Sequence, residues 1–355
     1  MIIENDIKLD FSDVLFRPKQ SELSSRKQVE LKREFTFKHS KQKWCGIPIM
    51  ASNMDTIGTI EIAKEFQKQG LFTCLHKFYQ DIDEIGKQHK KGLDFNYSAI
   101  SVGAKQKEFE WFQQLYKKHP NIIKFLCIDV ANGYQKQFGT IVEKYRNTFP
   151  NLTIIAGNAV TGDMAAELIL KGADIIKCGI GPGSVCTTRI QTGVGCPQLS
   201  AIIECADAVH ELGGHIISDG GCTSSGEISK AFGAGADFVM IGGMFAGHDQ
   251  SGGEKIFDKN DPDRPIGVRF YGMSSDFANK KHFGGLKNYR SSEGREVIVP
   301  YRGNINKTIQ DILGGIRSTC TYIGAKKIED LPECTTFIRV NRIYNPIFES
   351  ISVKK

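Results

Sequence analysis

The sequence predicts an α/β protein, a (β/α)8 TIM barrel with an N-terminal lead-in and a C-terminal lid and extension, read as one domain over residues 1–355. Three observations carry this. Short apolar, strand-like runs recur eight times between residues 47 and 241. Amphipathic stretches of helical length separate most of them. Polar residues and glycines gather just after each run. Strands alternating with helices pair in parallel through right-handed crossovers, and eight such units in about 200 residues suit a closed barrel of ~200–250 residues. Periodicity alone leaves an open, doubly wound sheet as an alternative.

Residues 1–47 are irregular and read as a lead-in that packs on the domain. Asp10–Lys19 mixes turn and short-strand signals, Ser24–Lys27 is a polar turn, and Val29–Phe37 alternates as a half-buried strand does. The eight runs follow at Ile47–Ser52, Leu71–His76, Tyr97–Val102, Phe125–Val130, Leu152–Ala156, Ile175–Ile180, His215–Ser218 and Ala236–Ile241. Between them, Thr56–Gln69 sets Ile60, Ile62, Ala63 and Phe66 on one side, and Gln135–Phe149 does so with Phe138, Ile141, Val142 and Tyr145. Thr161–Lys171 opens on an N-cap candidate and stops at Gly172. Pro197–Leu212 and Ser225–Phe232 repeat the pattern.

After residue 245 the repeat ends. His248–Asp263 reads as an exposed loop. Tyr271–Ser275 and Tyr289–Arg295 bracket Lys280–Lys287 as a lid, about 246–303 overall, with Gly284-Gly285 as its hinge. Val297–Tyr301 is strand-like, Asn304–Gly315 is helical with Gly314–Tyr322 ending that helix, and Thr336–Phe348 alternates again.

The formal net charge is +6 over 355 residues, which suits anionic small molecules and is no nucleic-acid footprint. No apolar run approaches the ~20 residues that span a bilayer. Met1–Asp10 carries three acids and does not read as a signal peptide. Ten scattered cysteines form no C-x-x-C pair, which argues for reduced thiols and a cytoplasmic protein.

Chemistry concentrates at the strand ends, where a barrel carries its site. The ends read Asn53-Met-Asp55, Lys77, Gly103, Asp129–Gly133, Gly157-Asn158, the loop Gly179–Gly195, Asp219–Gly221 and Gly242–Met244. In Gly179–Gly195, too glycine-rich to be a helix or a strand, Cys186 sits among Ser184, Thr187, Thr188 and Arg189. A thiol turns nucleophilic where positive charge or donors stabilise its thiolate, roles open to Arg189 and the loop N–H groups. Thr188 offers a hydroxyl to move a proton. Ser218–Ser224 and Ile241–Gly247 read as phosphate grips, their glycines presenting free N–H groups. Asp219 would repel phosphate but suits vicinal ribose hydroxyls, so the pair reads as a nucleoside monophosphate site.

The string GIGPGSVCTTR at 179–189, followed by TGVG, resembles the catalytic loop of the IMP dehydrogenase and GMP reductase family. DFSDVLFRPK at 10–19, NMDT at 53–56, CIDVANGY at 127–134, HIISDGGC at 215–222 and GGIRSTCTY at 314–322 extend the likeness to residues 5–350 and favour its reductase branch. The dehydrogenases insert a regulatory module between an early strand and helix, and no gap here has room for one. Their water-activating Arg-Tyr pair appears here reversed, as Tyr289-Arg290.

The resemblance implies NADPH-dependent reductive deamination of GMP to IMP through a covalent Cys186 thioimidate, with Thr188 and Glu293 as proton relay. It implies nucleotide contacts at Ser184, Asp219, Gly220, Gly221, Gly242, Gly243, Gly272, Met273, Ser274, Arg290, Ser291, Ser292, Glu293 and Gly294. It implies NADPH contacts at Ser25, Arg26, Lys77, Asp129, Val130, Ala131, Ile180, Gly181, Met273, Tyr289, Arg290, Ser318, Thr319, Cys320 and Thr321, some from an adjacent subunit of a homotetramer. Carbonyls of Gly181, Gly183, Cys186 and Arg189 would hold a monovalent cation, K+. The alternatives are an NAD-dependent IMP dehydrogenase and a non-catalytic nucleotide-binding barrel.

Overall fold

The computed structural model describes residues 1–341. The eight runs are the strands β1 (Ile49–Ala51), β2 (Phe72–Leu75), β3 (Ser98–Val102), β4 (Phe125–Asp129), β5 (Thr153–Ala159), β6 (Ile175–Cys178), β7 (His215–Asp219) and β8 (Phe238–Ile241). Each pairs in parallel with its successor, and β8 pairs with β1 from Val239–Ile49 to Ile241–Ala51, so the barrel is closed and the open sheet is excluded. Strands covered on both faces need apolar residues on both, which is why these runs do not alternate.

The helices α1 (Ile60–Lys68), α2 (Glu84–Lys90), α3 (Gln106–Lys118), α4 (Lys136–Thr148), α5 (Gly162–Leu170), α6 (Gln198–Glu211) and α7 (Ser225–Gly233) fill the seven crossovers. Thr59 caps α1, its hydroxyl accepting from the Ile62 N–H at 3.1 Å. Thr161 holds the N-cap position of α5, but its hydroxyl pairs with the Tyr134 hydroxyl at 2.8 Å instead of the helix.

The lead-in closes the barrel floor. The expected strand over Val29–Phe37 keeps its alternating burial throughout, but its ladder covers only Arg33–Thr36, where Lys43–Gly46 faces it, with a single bridge from Glu30 to Lys327 before it. Phe35 stacks on Phe238 at 4.4 Å, Phe37 meets Phe125 edge-on at 5.7 Å, and Trp44 meets Phe72 at 6.0 Å. Two Gly-Ala-Asp triplets, ending at Asp174 before β6 and Asp237 before β8, tie this hairpin down. Asp174 accepts from the His39 N–H at 2.7 Å and from Arg146 at 2.6 Å. Asp237 pairs with Arg33 at 2.9 Å and His210 at 2.7 Å. Burial opposes its ionisation, yet the hydrogen bond from His210 and the His215 ring 3.5 Å away hold the Asp237 carboxyl well below the usual carboxylate range.

Inside the barrel Cys127, Ile175 and Ile217 belong to the cluster above this floor. Side chains two residues apart share a face of a strand, so Asp129, Lys177 and Asp219 follow on the inward face at the C-terminal rim. The interior thus changes from apolar to charged toward the mouth.

After β8 the chain makes an excursion. Lys255–Asp258, Asp261–Tyr271 and Glu296–Pro300 form an antiparallel sheet, so half of the loop expected over His248–Asp263 is strand. His248 itself is buried, its ring 3.1 Å from the Gly303 carbonyl and 3.0 Å from the Thr308 hydroxyl. Helix α8 (Asp276–Phe283) is capped by Ser275 and stopped by Gly284 in the left-handed region at φ +73°. The glycine pair expected as a hinge therefore begins as a helix stop. Helix α9 (Asn306–Ile323) runs through Gly314-Gly315, where a Cβ on Gly315 would stand 2.1 Å from the Ser225 hydroxyl, and stops at Gly324. Close approach to α7, not a break, explains that glycine. Val14–Phe16 pairs with Phe337–Arg339. The expected alternation beyond residue 341 lies outside the described residues. Among the described residues no helix is long and apolar enough to cross a membrane.

Candidate active site

The glycines of the loop after β6 lie at its two ends. Between them Thr188–Thr192 has none and forms one helical turn, stopped by Gly193 at φ +69°. That corrects the expectation that the whole stretch is irregular. Cys186 Sγ lies 3.3 Å from the Thr188 hydroxyl, which donates to Glu293 Oε2 at 2.8 Å. The carboxylate arrives from 105 residues further on. Backbone pairing delivers it: the Thr187 N–H donates to the Glu293 carbonyl and the Arg295 N–H to the Val185 carbonyl, both at 2.9 Å. Gly294 bridges Cys186 and Ser275, and a Cβ there would stand 2.9 Å from the Ser275 nitrogen. Ser292–Arg295 is thus a strand-like clip on the cysteine loop. A thiol, a hydroxyl and a carboxylate in a line are suited to nucleophilic attack coupled to proton movement.

Arg189 does not serve the thiol as expected. Its guanidinium turns to Asp10 at 3.0 Å and to the Cys196 carbonyl at 2.5 Å. Its stem passes where a Cβ on Gly181 or Gly195 would stand, at 2.6 and 2.7 Å. Arg189 fastens the loop to the lead-in.

The relay opens on a cavity of about 260 Å³ at the barrel mouth. Ser184, Asp219, Gly220, Gly221, Gly242, Gly243, Gly272, Met273 and Ser274 line it beside Cys186, Thr188 and Glu293. A Cβ on Gly243 would stand 2.9 Å from the Ser184 hydroxyl, and Gly220 and Gly221 hold φ of +85° and +87°. The Gly243 backbone thus lies close to the Ser184 hydroxyl and the Gly220 backbone close to Gly183, so three glycine loops meet around Ser184, a cradle for an anionic oxygen group. Arg290, Ser291, Ser292 and Gly294 stand on the segment that carries Glu293 rather than on the cavity wall. Ser52 Oγ and Asn158 Oδ1 are buried polar atoms of lining residues with no partner among the described residues, as suits a polar ligand.

The cofactor candidates divide. Asp129, Ala131, Ile180, Gly181 and Met273 line the cavity, whereas Val130 does not. Lys77 pairs with Glu108 at 3.7 Å, and Tyr289 is exposed. Ser25 caps the turn Arg26–Gln28, which packs on α9, the helix of Ser318, Thr319, Cys320 and Thr321. None of that second group lines this cavity, and Cys320 is fully buried, which removes it as a direct contact. The Gly183 and Arg189 carbonyls each accept one loop N–H, at 3.0 and 3.1 Å, and each keeps a second lone pair. With Gly181 and Cys186 they form a carbonyl set in one tight loop, a donor type that fits a monovalent cation. Among the described residues no group of three or more acidic, His or Cys side chains could hold a metal ion.

Lys177 was missed, although a lysine inside the apolar run Ile175–Ile180 was a visible signal. Its ammonium, 2% exposed, pairs with Asp129 and lies 3.2 Å from Asp219 and 3.3 Å from Asn53 Oδ1. Asn158 Nδ2 also donates to Asp219 at 2.8 Å. Burial works against this ammonium, but the charges of Asp129 and Asp219 outweigh it and push its pKa well up. Burial likewise opposes ionisation of Asp129, and Lys177 holds that carboxyl below its ordinary value.

A parallel barrel whose rim combines a thiol, a hydroxyl–carboxylate relay and a glycine-lined cradle is an enzyme-type site for a small phosphorylated ligand. Comparison with known proteins narrows this: the chain belongs to the IMP dehydrogenase / GMP reductase family, whose domain model matches residues 8–345. It is 56% identical to human GMP reductase 2 over 348 residues, 98% of each chain. It is 55% identical to a GMP reductase of Phytophthora infestans, covering 98% of this chain and 94% of that one. It is 54% identical to a GMP reductase of Tolumonas auensis, covering 98% and 99%.

Proposed function

We propose that this chain is a GMP reductase that converts GMP, NADPH and two protons to IMP, NADP+ and ammonium. The observation that carries the reading is the Cys186–Thr188–Glu293 line, open to a cavity with a phosphate cradle, in a chain similar over its whole length to proteins named GMP reductase. The Ser184 hydroxyl and the Gly220–Gly221 and Gly242–Gly243 backbones grip the phosphate. Asp219 accepts from the ribose hydroxyls through the oxygen that Lys177 and Asn158 leave unused. This seats purine C2 against Cys186. The thiol proton passes through Thr188 toward Glu293, and sulfur attacks C2. Glu293 returns a proton through Thr188 to the 2-amino group, the C2–N bond breaks, and ammonia leaves a Cys186 thioimidate. A poor leaving group thus departs protonated, and one hard substitution becomes two steps. Asp129, Ala131 and Gly181 would hold a reduced nicotinamide, which would supply hydride to C2; the C2–S bond then breaks with Cys186 leaving as the thiolate, which regains a proton as IMP is released. Carbonyls of Gly181, Gly183, Cys186 and Arg189 would hold K+ and stiffen the loop. The split cofactor set supports a homotetramer in which Ser25, Arg26 and α9 face a neighbour's mouth. Ten unpaired thiols suit a reducing, cytoplasmic setting for purine salvage.

The NAD-dependent dehydrogenase is not favoured, because the relatives above are named as reductases and Tyr289-Arg290 reverses the dehydrogenase order. Purified protein is given GMP with NADPH, then IMP with NAD, and nicotinamide absorbance is followed. Oxidation with GMP and no reduction with IMP is expected. The converse sinks the reading, as would wild-type turnover by Cys186→Ala, a variant expected to bind GMP and release no IMP.

A further inference from the structure

The charged layer at the mouth holds one cation between two carboxylates with different tasks. Asp219, on β7, faces the nucleotide cradle. Asp129, on β4, faces the side assigned to the cofactor. Lys177, on β6, stands between them, enclosed and paired with both. The other groups facing it are Asn53 after β1 and the Cys127 thiol on β4. Cys74 on β2 lies beside that thiol, Asn158 after β5 braces Asp219, and Lys77 after β2 adds its field to Asp129. The ammonium has three N–H donors, but it sits closer to Asp129 than to Asp219, at 3.2 Å from the latter, so a shift toward one carboxylate lengthens the other pairing.

We infer that Lys177 is a positioning residue that couples the two halves of the site, holding Asp219 in place for the nucleotide in proportion to how far Asp129 releases it. This rests on the reading of Asp219 and Asp129 under the proposed function. Removal of the ammonium leaves the part-buried Asp129 and Asp219 carboxylates without the cation between them, an arrangement that takes up a proton more readily as pH falls. Removal of the Asp129 charge leaves the ammonium wholly to Asp219.

The test measures GMP binding calorimetrically without cofactor, from about pH 6 to about pH 8.5, with thermal melts to check folding. Lys177→Met should bind GMP roughly tenfold more weakly at the alkaline end, the deficit narrowing on acidification. Asp129→Asn, on the side assigned to the cofactor, leaves the ammonium to Asp219 at every pH and should bind GMP about threefold more tightly than wild type across the range. A folded Lys177→Met with wild-type affinity, or with a loss that is the same at every pH, overturns the inference. So does an Asp129→Asn profile that superposes on wild type, and that variant decides alone if Lys177→Met does not fold. Wild type that fails to bind GMP at all would instead overturn the functional reading, before either variant is compared.

Discussion

Thr188 is where the chemistry is narrowest, since one hydroxyl links sulfur to carboxylate. Thr188→Val keeps the shape and cuts both links. It should slow deamination by ~100- to 10,000-fold, the range of a lost acid–base group, without loss of thermal stability. Glu293→Gln separates the two half-reactions. On the proposed mechanism, ammonia departure needs a proton from this residue and hydride transfer does not. The variant should fail with GMP and still reduce NADP+ when IMP is converted to the thioimidate, as measured by rapid mixing in each direction. Equal slowing of both steps would mean that Glu293 only positions the clip. Cys186 and Thr188 were legible because one loop motif names them, and Glu293, 105 residues on, only through the family resemblance. The turning of Arg189 was not, because its partner Asp10 lies 179 residues earlier and no local pattern joins them.

Helix α8 shows what a single buried charge does for an element. Asp55, at the end of β1, accepts from the Tyr271 hydroxyl and His282 Nε2, both at 2.6 Å, and from Lys281 Nζ at 2.9 Å. Burial opposes its charge, but these donors hold its carboxyl below the ordinary value. The lowered value means that ionised Asp55 stabilises the fold at pH above its unfolded pKa of about 4, and that this is lost as pH falls through the folded value. Asp55→Asn should therefore cost about 2 kcal/mol near neutrality and clearly less near pH 3, where part of the stabilisation is already lost. Urea titrations at the two pH values measure the gap, and hydrogen exchange should quicken in α8. A gap that persists in acid would show that shape, not charge, is lost. Sequence periodicity revealed the barrel strands because each run is apolar on both faces. It missed Lys255–Asp258, which is short and only partly covered, so no apolar pattern marks it.

At the scale of the molecule, the cofactor candidates argue for assembly. One group lines the mouth, and the other lies on the turn Arg26–Gln28 and α9. A single chain uses only the first, so light scattering should find a tetramer, and a monodisperse, fully active monomer would contradict it. The closed barrel was legible in eight repeats, whereas the split was expected only from the family resemblance, because strand and helix spacing says nothing of which rim a distant helix reaches. The floor adds a consequence of its own. Phe35, Phe37 and Trp44 leave at most 5% of each side chain exposed, and they stop the barrel at one end. On the proposed reaction, two substrates and three products would then share the open end, a cul-de-sac in which one visitor blocks another's exit. A fresh dinucleotide that enters before IMP has gone shuts the product in. Turnover at saturating GMP should consequently fall as NADPH is raised, with IMP making that inhibition worse, and a rate that stays level at high NADPH would show a second way out.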